Sequence, residues 1–189
     1  MQTKTKKRSK SSSKINGKPI DTDMQSSQLM ELFEDQLKDI LWAEKALIKA
    51  IPNMISLATS DELIKALKEH LKETKEQVTS LEKVFKMIGK KPAAVKCDAM
   101  QGLIAEADEI MEGCEKGAKC DAGIIAASQK IEHYEIATYG TLREFAETLG
   151  LKDAEKLLLE ILKEEKAADQ KLTEVAVKVV NMDAAVKHA

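Results

Sequence analysis

The sequence predicts an all-α fold: a four-helix bundle with one long crossover that contains a short extra helix. Three observations carry that prediction. The composition is rich in Ala, Leu, Lys, Glu and Ile, only 3% aromatic, and holds three prolines, which is the balance of a helical chain. Four long segments each show one apolar stripe in steps of three and four. Short links join the first segment to the second and the third to the fourth, whereas about 33 residues separate the second from the third. A length of 189 residues suits one domain with a sizeable core.

Residues 1–25 read as a disordered, basic Ser/Lys-rich tail without apolar periodicity. Seven of the first 20 residues are Lys or Arg and none is acidic, so the net charge of −2 hides an acidic body. Such a tail can make weak nucleic-acid contacts through charge alone. No aromatic residue interleaves the lysines as a stacking platform, so a solvated tail is the preferred reading.

The bundle is expected over residues 26–182. Its first helix spans about Ser27 to Leu57, with the stripe Phe33, Leu37, Ile40, Glu44, Leu47, Ile51, Met54, and Pro52 is expected to kink it near its end. The second opens on the capping residues Ser60-Asp61-Glu62 and stops at Gly89, with Leu63, Leu67, His70, Thr74, Leu81 and Ile88 in its stripe. Residues 89–121 form the crossover, with a short amphipathic helix from Ala99 to about Met111, broken by Gly113 and Gly117. The third helix runs from about Ala122 to Leu149 and carries Ile124, Ile131, Glu135 and Leu142; Gly150 stops it. The fourth runs from about Asp153 to Val180 and carries Leu158, Ile161, Glu165, Leu172 and Val175, before a C-terminal tail at 183–189.

Each apolar stripe is interrupted near its middle by polar or acidic residues: Glu44, His70/Glu73, Glu132/Glu135 and Glu165/Asp169. A carboxylate among leucines is costly unless it is paired, protonated or bound to a cation. At 100° per residue Glu44, Glu135 and Glu165 fall at the centre of their stripes, with Glu132 and Asp169 on the flank. His70 is central on the second helix and Glu73 lies toward its edge. His133 points away and is excluded. Glu44 lies 15 residues before the first hairpin turn and Glu73 lies 14 after it, so both sit ~22 Å from that turn. Glu135 and Glu165 match each other about the second turn in the same way. Converging carboxylates repel one another, and two divalent cations would neutralise them. Oxygen-rich ligation with at most one His favours iron or manganese over zinc or copper. One buried Glu alone is more often a protonated or paired register device; acid on every helix at matching depth reads as a metal site.

Tyr139, one turn after Glu135, is a candidate partner for a ligand, or simply a core tyrosine. Trp42 lies off the stripe of the first helix; an exposed Trp marks a subunit contact, hence a homodimer is expected. Cys97, Cys114 and Cys120 form no CxxC pair and read as reduced thiols in a cytoplasmic protein. No run of about 18 apolar residues and no signal-peptide core is present, so no membrane partner is expected.

Several blocks carry a resemblance: Trp42-Ala-Glu-Lys, Lys68-Glu-His-Leu-Lys-Glu-Thr74, Cys97-Asp-Ala-Met-Gln-Gly-Leu-Ile104, Gln129-Lys-Ile-Glu-His-Tyr-Glu-Ile-Ala137, Tyr139-Gly-Thr141 and Glu164-Glu-Lys-Ala-Ala-Asp169. Over about residues 28–177 the chain resembles the YciF-like (YciE/YciF) bacterial stress-protein family, within the ferritin-like superfamily. The resemblance implies a ferritin-like bundle, dimeric and induced in stress, with a di-iron site. The wider di-iron pattern is one Glu on each of two helices and Glu-x-x-His on each of the other two. By matching position, Glu44 and Glu135 or Glu132 would be the single ligands, and Glu73 and Glu165 the bridging ones. This sequence departs from the pattern: the second helix reads His70-x-x-Glu73 and the fourth reads Glu165-x-x-x-Asp169 without histidine. The expected function is a stress-response protein with two iron or manganese ions, oxidising Fe(II) or consuming peroxide. The alternative is a non-enzymatic helical stress or interaction protein that keeps the bundle without functional metal.

Overall fold

A computed structural model describes residues 27–186, together with the backbone of two short strands, β1 (Lys14–Ile15) and β2 (Lys18–Pro19). The strands pair antiparallel, Lys14 opposite Pro19 and Ile15 opposite Lys18, inside the segment read as lacking structure. The rest of that tail, and residues 187–189 of the C-terminal one, lie outside the described residues.

The helices are α1 (Gln28–Leu57), α2 (Asp61–Met87), α3 (Asp98–Glu112), α4 (Ala118–Thr148) and α5 (Lys152–Val175). A π-helical stretch, Ala176–Val180, and α6 (Asn181–Ala185) extend α5. The chain is therefore helical beyond residue 182, where a tail was expected. The side chains of Ser27 and Ser60 cap α1 and α2 by accepting from the N–H groups of Met30 and Leu63. Pro52 lies within α1, which continues to Leu57. Gly150, at φ 69°, makes the tight turn between α4 and α5 in a backbone region that other residues rarely adopt.

Around the bundle α1 packs on α2 and α4, and α5 packs on α2 and α4. The crossover helix α3 lies over the α1/α4 face. Gly123 permits this approach: a Cβ there would sit 2.7 Å from Ile110 Cγ2. The core is mostly aliphatic, with Leu37, Leu47, Leu63, Leu81, Leu142 and Leu158 fully or almost fully buried beside the aromatic Phe33 and Phe85.

Two expectations are corrected. Trp42 is not an exposed marker: it is half-buried and packed against the core, in a groove shared with Gln101 and Ile104 of α3. The groove between α1 and the crossover helix holds it, and no pattern within α1 could register that. Cys114 and Cys120 are not free thiols but are joined by a disulfide, with Cα atoms 5.4 Å apart. The bend between α3 and α4 brings them together despite their non-CxxC spacing. Cys97 is free and buried.

Candidate metal centre

Most of the polar interruptions meet in the interior. Glu44, Glu135 and Glu165 are 0% exposed, Glu132 2% and His70 8%. Ligand atoms of His70, Glu132, Glu135 and Glu165 all lie within 4.8 Å of one another. These residues come from α2, α4 and α5. Glu44 brings in α1: its carboxylate accepts from the Tyr139 hydroxyl, itself fully buried. His70 Nε2 faces Glu132 Oε1 at 3.4 Å.

Glu132 is drawn fully inside although the wheel placed it on the flank. α4 packs on both α1 and α5, so its buried arc is wider than one stripe. On α2 the inward position belongs to His70. Glu73 is half-buried, beside the like charges of Glu164 and Glu69, and is not in the close group. Asp169 is also outside it, at the outer edge of α4 and α5. It accepts from Gln129 Nε2 at 3.0 Å and faces His133 Nε2 at 3.5 Å. His133 is exposed, as its wheel position required.

The electrostatics of the cluster follow from burial. Desolvation, then the charge of Glu165, holds Glu44, Glu132 and Glu135 well above the ordinary carboxylate range. Burial pushes Glu165 up to about 7, partly offset by Glu132 and Gln77 beside it. Burial pushes His70 down to about 4. The buried glutamates also raise one another through like charge at close range.

Six buried carboxylate oxygens have no hydrogen-bond partner among the described residues: Glu44 Oε2, Glu132 Oε2, both of Glu135 and both of Glu165. Buried polar atoms are nearly always partnered in folded proteins. Unpartnered oxygens converging with an imidazole form a donor set that fits divalent cations.

Two further polar positions, Asp121 and Tyr134, were not singled out in the sequence. Asp121 at the start of α4 accepts from Thr59 N (2.8 Å), Thr59 Oγ1 (2.7 Å) and Ser60 N (2.9 Å), pinning the α1–α2 turn. Tyr134 donates to Asp39 Oδ2 at 2.5 Å and lies 3.0 Å from Cys97 Sγ. Gln77 donates to Glu164 Oε2 at 3.1 Å. These contacts join distant segments, and no local pattern signals them.

A four-helix bundle with carboxylates and a histidine gathered at mid-height defines the class: a ferritin-like helical protein with a buried acidic centre. The chain belongs to the family described as Domain of unknown function (DUF892), whose profile matches residues 28–185, and to the YciF-like group within it. It is 43% identical over 162 residues to Protein YciF of Escherichia coli (strain K12), covering 85% of this chain and 98% of that one. The crystal structure of that E. coli stress protein superposes with a TM-score of 0.78 at 44% identity, covering 82% of this chain and 98% of that one. YcfI from Rhodopseudomonas palustris gives a TM-score of 0.77 at 45% identity, covering 79% and 96%. A protein from Xanthomonas campestris, 20% identical over 84% of this chain and 97% of its own, gives 0.66 and shares the fold.

Proposed function

We propose that this stress-protein relative binds two iron or manganese ions among its central carboxylates and uses them to oxidise Fe(II) or remove peroxide. The observation that carries the reading is the set of unpartnered buried oxygens on Glu44, Glu132, Glu135 and Glu165 beside His70. Four glutamates would supply four negative charges, which two divalent cations match. Glu165, a member of the close group that matches a bridging position of the wider di-iron pattern, is the candidate bridging ligand. Glu44, Glu132 and Glu135 are the candidate terminal ones, and His70 supplies the nitrogen.

A bound iron pair would supply one-electron chemistry toward oxygen or peroxide. The chain supplies the rest. Buried aliphatic side chains, among them Leu37, Leu47, Leu142 and Ile161, make the interior apolar. Tyr139 holds the Glu44 carboxylate in place through its hydroxyl. His70 is kept neutral by burial, as nitrogen ligation requires.

Metal analysis of protein purified without chelator tests the reading, beside Glu44→Ala and Glu165→Ala variants. Close to two equivalents of iron or manganese in the parent, and loss in both variants, is the expected result. Substoichiometric metal unaffected by either substitution would leave the non-enzymatic alternative, with the acids held protonated as a polar core.

A further inference from the structure

Resting on the metal reading above, the geometry points to a port: we infer that hydrated divalent cations reach the centre through the cleft between α2 and α5. A cavity of about 210 Å³ opens there, with room for several waters. Its inner wall is His70 and Glu132, both more than nine-tenths buried. Glu132 Oε2 and His70 Nδ1 have no hydrogen-bond partner among the described residues. The cleft therefore leads to two residues that carry unpartnered, buried ligand-type atoms.

The gap has a simple steric origin. Ala66 on α2 faces Ala167 and Ala168 on α5, and alanines leave the two helices without side chains to fill the space at this level. The opposite face of the bundle, α1/α4, is covered by α3. The outer part of the cleft carries Glu69 and Glu73, with Lys171 in its lining, Lys65 3.9 Å from Glu69, and Lys72 close enough to act on Glu73. Glu73, outside the ligand group but beside Glu69 and Glu164, thus has a place in the scheme. Its charge favours a cation at the mouth and hands it inward to Glu132.

The test is the rate of cobalt(II) uptake by the metal-free full chain, followed by cobalt absorption in a stopped-flow instrument without oxidant. Ala168→Phe should plug the cleft, so that uptake must wait for local opening of the helix pair and slows roughly tenfold or more. The final cobalt stoichiometry should be unchanged. Glu73→Gln, at a half-exposed position that leaves packing intact, should slow uptake roughly threefold to tenfold at low ionic strength and hardly at all in high salt. Ala137→Phe, on the exposed side of α4, serves as the control and should keep the parent rate. Parent-like uptake rates in both cleft variants, with full cobalt binding, would overturn the port while leaving the metal reading standing. A parent protein that takes up no cobalt would remove both.

Discussion

Tyr139 shows how much a single side chain settles at this centre. Its ring is fully buried, and its hydroxyl donates to the Glu44 carboxylate. Replacing it with Phe keeps the ring and deletes the donor, so Glu44 loses the one hydrogen bond made to its carboxylate among the described residues. A buried acceptor left without its partner costs about 1–3 kcal/mol. Tyr139→Phe should therefore lower the unfolding free energy by about 1–3 kcal/mol, read as a lower urea midpoint with an unchanged m value. An unchanged midpoint would show that the contact contributes nothing net. The sequence placed Tyr139 beside Glu135 by helical spacing, but its partner proved to be Glu44 on another helix. Spacing within a helix fixes a direction and leaves the neighbour open.

At the scale of elements, the joints hold more than the apolar stripes suggest. Asp121, at the start of α4, accepts three hydrogen bonds from Thr59 and Ser60, the turn between α1 and α2. Ser60 in turn caps α2. One carboxylate thereby ties the second hairpin to the first and fixes their relative height. That register is what brings Glu44 and Glu135 to the same level, which helix spacing alone could not establish. Asp121→Ala leaves two N–H groups and a hydroxyl to find new partners, and hydrogen bonds to a charged group contribute about 1.5–3 kcal/mol each. Because the three bonds are only part-buried and water regains the freed groups, thermal unfolding should show a loss of about 3 kcal/mol rather than the full sum, and a loss well below about 1 kcal/mol would mean water replaces the aspartate entirely. The Cys114–Cys120 disulfide closes the other joint, between α3 and α4. It was invisible to a reading based on CxxC spacing and the expected compartment. The bend that aligns the two thiols belongs to the path of the chain rather than to the cysteines.

For the whole molecule, the acidic centre predicts an unusual pH profile in the absence of metal. Glu44, Glu132 and Glu135 have folded pKa values well above the unfolded value near 4.5, and Glu165 titrates at about 7. Such groups hold protons more tightly folded than unfolded. Their contribution is complete below the unfolded pKa and is lost as pH rises through the folded one. His70, lowered from 6.5 to about 4, acts in the opposite sense, and its contribution is lost only as pH falls below about 6.5. Above that point the carboxyls alone set the slope. Chelator-treated protein should therefore melt at a lower temperature at pH 8 than at pH 6.5. Added Fe(II) or Mn(II), which binds the ionised carboxylates, should raise the pH 8 value most. A melting temperature that is flat or rising between these pH values in chelated protein would refute the account.

By itself the sequence determined the helices, their order, the long crossover and the inward acids at the centre of their stripes. Each of those rests on periodicity, capping residues and glycine stops, which are local properties. The resemblance to the YciF-like family was legible in the same way, from contiguous blocks such as Glu132-His133-Tyr134-Glu135. Only the tertiary structure decided which polar residues meet. It drew Glu132 inside, left Glu73 at the mouth of a cleft, turned Asp169 toward Gln129 and His133, set Trp42 half-buried in a groove beside α3, and joined Cys114 to Cys120. The physical reason is the same in each case. A helical pattern specifies one face against a generic core, whereas these contacts depend on the height and separation of neighbouring helices, which are set by turns, small residues and a cap contributed by distant parts of the chain.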